Sequence, residues 1–353
     1  MQDKVILAAV GDIMPGDLSL YWGIGVKSLI ERKRIFVFEH VEKILSESDV
    51  VFGNLENVLS DSEKHSYHSS TLRGAVSFVE QLARAHFNVV NIANNHIQQH
   101  GKEALFDTIN TLKGKHIKVV GTKGLNPQLT RIKNIKIGFV GYSLRPEVYA
   151  DKAIYSKESE DAILSGVGRL KELVDYSIVS IHWGDEYVSF PASWQISFAH
   201  KLVDTGASVI LGHHPHVLQG IERYKQGIIA YSLGNFVSDM CQEQAKETII
   251  LKLILDNSGI SYDVIPCRIN NNFQPEPVID KEKSLNNFKK LSHLPVLSKQ
   301  EYKKSVQTSI IKFRKEYRLF LIRNWYKYPC RNLKAIICDF IARRVKMKNL
   351  ISW

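Results

Sequence analysis

The chain has 353 residues, 44% of them hydrophobic and 24% charged. These are ordinary globular values, which exclude wholesale disorder and suffice for one large domain with an appendage. The net charge of +11 divides unevenly: residues 281–353 hold 19 Lys/Arg against 4 Asp/Glu, a net +15, and residues 1–280 are left at −4. The basicity belongs to a tail, and no recognised nucleic-acid motif accompanies it, so no nucleic-acid partner is expected.

In chain order, short β-branched runs alternate with amphipathic stretches from residue 4 to about 235. Strands are expected at Val5–Val10, Val50–Gly53, Val89–Ile92, Lys118–Val120, Ile135–Gly141, Ser177–His182, Ser208–Gly212 and Ile228–Ser232, and helices around 38–47, 75–86, 102–114, 160–174 and 192–205. Alternation at this spacing reads as an α/β fold with buried, largely parallel strands. Two later runs, Thr248–Leu255 and Ile260–Arg268, flank Asp256-Asn257-Ser258-Gly259, a hairpin signal. Residues 269–285, with Pro275 and Pro277, read as a linker, so the expected division is a domain at 1–268, a linker at 269–285 and a basic helical tail at 286–353.

Other signals place the chain in the cell. No run approaches the roughly 18 apolar residues of a spanning helix, and Met1–Ala9 lack the charged and apolar regions of a secretory signal. Cys241, Cys267, Cys330 and Cys338 form no CxxC pair. Unpaired thiols and a cytoplasmic location are expected.

Polar residues gather where the expected strands end. The runs are Gly11-Asp12, Gly53-Asn54-Leu55-Glu56, Ala93-Asn94-Asn95-His96, His182-Trp183-Gly184-Asp185-Glu186 and Gly212-His213-His214-Pro215-His216. In open α/β sheets ligands bind at the carboxyl ends of strands, so these five runs can converge in one crevice. Taken singly each is weak: Gly-Asp is usually a turn, and Asn94-Asn95 a turn or helix-start device. Together they offer carboxylate, amide and imidazole donors without thiolates, a mixture suited to Mn, Fe or Zn in a site that is not structural zinc. His-x-His can serve two adjacent ions, and a metal with open positions makes a bound water a usable nucleophile near neutral pH.

These runs, with Met14 after Asp12 and with Tyr231-Ser232-Leu233-Gly234-Asn235-Phe236, occur in an order that resembles the CapA (PgsA) family, bacterial capsule synthesis proteins linked to poly-γ-glutamate. The resemblance covers about 230 residues. It implies a calcineurin-like metallophosphoesterase fold, a four-layer α/β/β/α sandwich, with two divalent metal ions. It further implies Asp12, a bridging Glu56, Asn95, His182, His214 and His216 as metal ligands, with His213 able to take the place of His214. His96 is implied as the proton donor to the leaving group, and Arg73 as the holder of an anionic substrate group. Three departures stand out: the superfamily's strand-one Asp-x-His has Met14 in place of the histidine, Asn54-Leu55-Glu56 replaces the second aspartate motif, and Gln99 stands where family members commonly carry an aspartate.

In the tail, Leu333, Ile336, Ile337, Phe340 and Ile341 follow helical spacing, with Arg331, Lys334, Arg343, Arg344, Lys346 and Lys348 around them. This stripe either packs on the body or lies on an anionic membrane surface, which would place the enzyme at the inner membrane face. Two functions are compatible with the whole: a metal-dependent hydrolase acting on a phosphoester or an amide of a polyanionic polymer, and a non-catalytic accessory subunit of a membrane polymer synthase. Pocket shape, and with it the substrate, depends on the loops 57–74 and 142–160.

Overall fold

The computed structural model describes residues 4–61, 71–145, 153–295 and 297–338; residues 62–70 and 146–152, within the stretches 57–74 and 142–160 named above, lie outside them. Two sheets stand face to face. The first runs in space Pro275–Pro277, Gly259–Ile269, Glu247–Asp256, Lys4–Ile13, Val50–Leu55, Phe87–Asn91 and Lys118–Val120, with Asn235–Val237 paired to the end of Lys4–Ile13. The second runs Ile221–Tyr224, Gly227–Ala230, Val209–His213, Tyr176–His182, Ile135–Ser143 and Gln128–Ile132. Each contains a run of four adjacent parallel strands, joined in the first sheet by Asn235–Val237 parallel to Lys4–Ile13, so the carboxyl ends of the four fall along one edge.

Period-two alternation builds the layers. Val5, Leu7 and Ala9 turn into the space between the sheets with Ile137, Phe139, Ile178, Val209 and Leu211, while Ala8 and Val10 turn outward. Helices cover both outer faces. Phe78–Arg84 and Gly101–Gly114 lay Phe78, Leu82, Leu105, Ile109 and Leu112 on the first sheet. Glu160–Lys171 lays Ile163, Val167 and Leu170, at i, i+4 and i+7, on the second, beside Phe198 and Leu202 of Ser193–Thr205. The result is the expected α/β/β/α order. The hairpin forms as well, with Asp256 opposite Gly259 and Gly259 at φ +129°.

The stretch 269–285 differs from the expected linker. It carries the edge strand Pro275–Pro277 and the first turns of the helix Lys281–Leu291. Prolines fit an edge strand because they need not donate to a ladder. Phe288 enters the core between the sheets, with Leu285 and Leu291 packed against it. The chain beyond 268 thus closes the sandwich.

After it comes a 26-residue helix, Lys299–Asn324, begun by a capping box between Ser298 and Glu301, and a helical run over 330–338. Leu333 and Ile336 pack with Tyr328 against Leu20, Trp22 and Ile24, whereas Ile337 is exposed. Two of the five stripe residues, Leu333 and Ile336, therefore pack on the body. Phe340, Ile341, Arg343, Arg344, Lys346 and Lys348 lie outside the described residues. The four cysteines are free thiols. Among the described residues no helix is long and apolar enough to cross a membrane.

Phe288→Ala is expected to cost about 3–5 kcal/mol of stability, the usual range for a buried Phe truncation. A chain ending near residue 280 should lose at least as much. Urea unfolding measures both, and a wild-type midpoint for the truncated chain would return 281–291 to the status of an appendage.

Candidate metal centre

Register brings the donors together. In the first sheet Asp12 pairs with Asn54 and Asn54 with Asn91; in the second His213 pairs with His182 and His182 with Ser143. Asn235 pairs with Asp12 across a tight approach that two glycines permit. A Cβ on Gly11 would stand 2.1 Å from the Gly234 carbonyl oxygen, and one on Gly212 would stand 2.0 Å from that of Tyr231. Only glycine fits beneath that crossing chain.

The turn after Phe87–Asn91 is built by Asn94. Its Oδ1 accepts from the backbone N–H groups of His96 (3.1 Å) and Ile97 (3.0 Å), and its Nδ2 donates to the Leu55 carbonyl (2.9 Å). The neighbour Asn95 is thereby aimed at the cluster, where its Oδ1 lies 2.7 Å from His182 Nε2. The His182 Nε2 in turn lies 3.1 Å from His214 Nδ1 and 3.6 Å from Glu56 Oε1. His216 lies with its Nε2 3.6 Å from the same Glu56 oxygen and its Nδ1 3.3 Å from Asp12 Oδ2 and 3.0 Å from Asn235 Oδ1. Three overlapping sets of three donors result, Asp12/Glu56/His216, Glu56/His182/His214 and Glu186/His214/His216, with Glu56 common to the first two. His214 and His216 sit at φ +97° and +58°, left-handed backbone that non-glycine residues adopt at a cost, and such strain collects at functional sites.

Electrostatics show what the cluster lacks. Glu56 is fully buried, and neither of its oxygens has a hydrogen-bond partner. Burial pushes its carboxyl well above the ordinary range, and the charges of Asp12 and Glu186 push the same way against the pull of His216. Asp12 behaves oppositely: burial works to raise it, but hydrogen bonds from His213 and His216 hold it well below its ordinary value. Burial, first of all, keeps His182 and His214 well below the usual imidazole value. Burial also opposes charge on His216, yet Glu56 and Asp12 outweigh it and push that imidazole up to about 10. Neutral imidazoles meeting nitrogen to nitrogen, beside an unbonded buried carboxylate, form a donor set that a divalent cation satisfies.

Asp12, Glu56, Asn95, His182, His214 and His216 thus meet in one cluster. Of the two alternatives His213 and His214, the structure turns His214 Nδ1 into it, while His213 Nδ1 binds Asp12 Oδ1 at 3.1 Å. His96 stands at the rim with Nε2 3.9 Å from Glu56 Oε1 and Nδ1 2.8 Å from Gln99 Oε1. Gln99, the departure from the family's aspartate, therefore orients the ring as an amide acceptor. Arg73 is buried on a two-residue strand, Arg73–Gly74, that pairs with Val58–Leu59 just after Glu56. Three residues were missed as site residues. Asn54 donates to Asp12 Oδ1 at 2.8 Å, Asn91 donates to Asn54 Oδ1 at 3.0 Å, and Glu186 reaches His214 and His216. Their positions inside the same strand-end runs were the available signal for Asn54 and Glu186.

A sandwich of two mixed sheets between helical layers is a metallophosphoesterase-type fold, and this cluster sits at its strand ends. The model of the family described as bacterial capsule synthesis protein PGA_cap matches residues 6–240, and the chain belongs to that family. It is 33% identical over 298 residues to the capsule biosynthesis protein CapA of Bacillus anthracis, covering 78% of this chain and 70% of that one. It is 30% identical over 296 residues to the PGA biosynthesis protein CapA of Bacillus subtilis, covering 78% and 74%. A crystal structure described as a novel phosphatase of Mycoplasma pneumoniae shares the fold at TM-score 0.50 and 13% identity, covering 80% of this chain and 98% of that one.

The elevated His216 yields a sign for metal binding. Below about pH 10 the chelated protein holds a proton on His216 that an ion must displace, so Mn²⁺ affinity should rise with pH toward that value. Calorimetry at pH 8 in buffers of different ionisation enthalpy should report at least one proton released per protein. A heat independent of buffer would remove His216 from the ligand set.

Proposed function

We propose that the protein serves capsule or exopolymer biosynthesis of the poly-γ-glutamate kind as a metal-dependent hydrolase, cleaving a phosphoester or an amide of a polyanionic substrate. The observation that carries this reading is Glu56, a buried carboxylate without a hydrogen bond whose Oε1 faces His182, His216 and His96 at 3.6, 3.6 and 3.9 Å. Asp12, Glu56 and His216 would hold one divalent ion, and Glu56, Asn95, His182 and His214 a second; Mn, Fe and Zn all suit these donors. When bound, such ions supply Lewis acidity toward a phosphoryl or carbonyl oxygen and lower the pKa of water.

The chain's own groups do the rest. His96 Nδ1 donates to Gln99 Oε1 and Nε2 accepts from Asn95 Nδ2 at 3.2 Å, so a proton taken up by the ring is carried at Nε2 and handed from there to the departing oxygen or nitrogen. Arg73 provides the cation that holds an anionic group of the substrate. Asn54, itself braced by Asn91, holds the Asp12 carboxylate in the orientation in which it would serve as a ligand.

His96→Gln should leave metal content intact and reduce turnover about 10²–10⁴-fold, the usual worth of a general acid. His214→Ala should lower both. Metal analysis of the purified variants, with a screen of phosphodiester and γ-glutamyl substrates, decides it. Unchanged turnover in His96→Gln would take that residue out of the chemistry, and no turnover of any substrate by metal-loaded wild type would favour the accessory-subunit reading.

We also propose that the tail brings the body to the anionic inner face of the membrane, though by another surface than the expected stripe. Ile311, Ile322, Trp325 and Tyr326 are 67%, 68%, 61% and 66% exposed. Ile311 and Ile322, eleven residues apart, share one helix face. Around them Lys312, Arg314, Lys315, Arg318, Arg323 and Lys327 are exposed. Aliphatic and aromatic groups among cations suit a lipid interface, where each nearby Lys/Arg adds roughly 1 kcal/mol. The full chain should sediment with phosphatidylserine vesicles in a salt-sensitive way and not with neutral ones, and Ile322→Ser with Trp325→Ser should weaken it. Equal recovery with both lipids would sink the membrane role.

A further inference from the structure

We propose that Glu186 is an additional ligand of the metal centre, and that the C-terminal helix Lys299–Asn324 holds it in place. The proposal rests on the metal-centre reading above. Beside Asp12, Glu56 and His216 the first strand offers nothing more. Met14, two residues after Asp12, is buried in an apolar cluster with Leu18, Leu72, Met240 and Phe313. Glu186 arrives from the second sheet. One of its carboxylate oxygens, one nitrogen of His214 and one of His216 lie within 4.8 Å of one another. Its negative charge is felt at both Glu56 and His216. A third carboxylate here would balance a second divalent cation against the three neutral or cationic imidazoles.

Glu186 lies in no regular element, so something must fix its loop. Tyr187 donates its backbone N–H to the Pro215 carbonyl at 2.8 Å and sits at φ +68°, a conformation a tyrosine keeps only when its surroundings enforce it. The C-terminal helix supplies that enforcement at two points. The Tyr187 ring stacks on Phe313 with centroids 3.3 Å apart and planes at 14°, and Phe190 meets Tyr302 edge-on at 6.0 Å. Tyr302 and Phe313 are eleven residues apart, three turns along one face, opposite the face carrying Ile311 and Ile322. Phe313 is buried, and its carbonyl accepts from Gln242 Nε2 at 3.4 Å. The helix therefore grips the loop at two points just after Glu186, at Tyr187 and Phe190. In this arrangement the tail is part of the metal site, and the same helix faces the solvent with its aliphatic and basic side.

The test is Mn²⁺ titration of the chelator-stripped full chain, with free Mn²⁺ followed by electron paramagnetic resonance. Wild type should bind two ions. Glu186→Gln should keep one as before and weaken the other at least about tenfold. Phe313→Ala should weaken the same ion. Phe313→Leu, which keeps the apolar volume and loses the flat stack, should do so while holding the wild-type circular dichroism spectrum and thermal midpoint. Wild-type affinities for both ions in Glu186→Gln would overturn the ligand assignment. A weakened ion in Glu186→Gln with none in Phe313→Leu would overturn the helix's part in it. Wild type that binds no Mn²⁺ would overturn the metal centre itself, and this proposal with it.

Discussion

A carboxylate placed out of water without a hydrogen bond is among the more expensive things a fold can contain, since the effective desolvation penalty runs to several kcal/mol. Glu56 is such a group, and much of the surrounding structure reads as compensation for it. His216 keeps a proton beside it, Asp12 is tied down by His213, Asn54 and the His214 backbone so that two acids can coexist, and His182 and His214 are kept neutral. The compensation is incomplete without a cation: Glu56 Oε2, His182 Nδ1 and His214 Nε2 are buried and unbonded. A divalent cation among these donors would complete it.

The sandwich makes this arrangement reachable. A single parallel sheet would align its strand ends in a row; two sheets face to face put the ends of one across from the ends of the other. Asp12 and Asn54 come from the first sheet, His182 and His213 from the second, and the segment Tyr231–Asn235 crosses between them above Gly11 and Gly212. The inter-sheet core of Leu7, Phe52, Phe139 and Leu211 holds the two rows at a fixed separation. Close packing of that kind resists small displacements, which a site built from groups 3–4 Å apart requires.

The C-terminal region joins these two levels. Phe288 closes the inter-sheet core from below, while Phe313 and Tyr317 close the apolar wall around Met14 and Tyr187. Opposite faces of the helix Lys299–Asn324 therefore have different duties: rings at 302, 313 and 320 turn to the body, and Ile311, Ile322 and Trp325 turn away. A basic segment that composition alone marks as an appendage is thereby tied to the centre.

Sequence alone determined the alternation of strands and helices, the hairpin at 256–259 and the strand-end runs that carry Asp12, Glu56, Asn95, His182, the pair His213-His214 and His216. Periodicity and turn chemistry are local, and metal-compatible side chains at strand ends are recognisable one run at a time. What remained illegible depends on partners far along the chain. Asp12 and His213 are 201 residues apart, and only register decided that His213 serves Asp12 while His214 faces the cluster. Pro275–Pro277 looked like a linker because three residues with two prolines carry no strand pattern of their own, and a neighbouring strand supplies the pairing. Likewise nothing near Phe313 or Glu186 announces their meeting through Tyr187. A helical stripe states only that one face is apolar, and which surface receives it is settled by the packing of the whole fold.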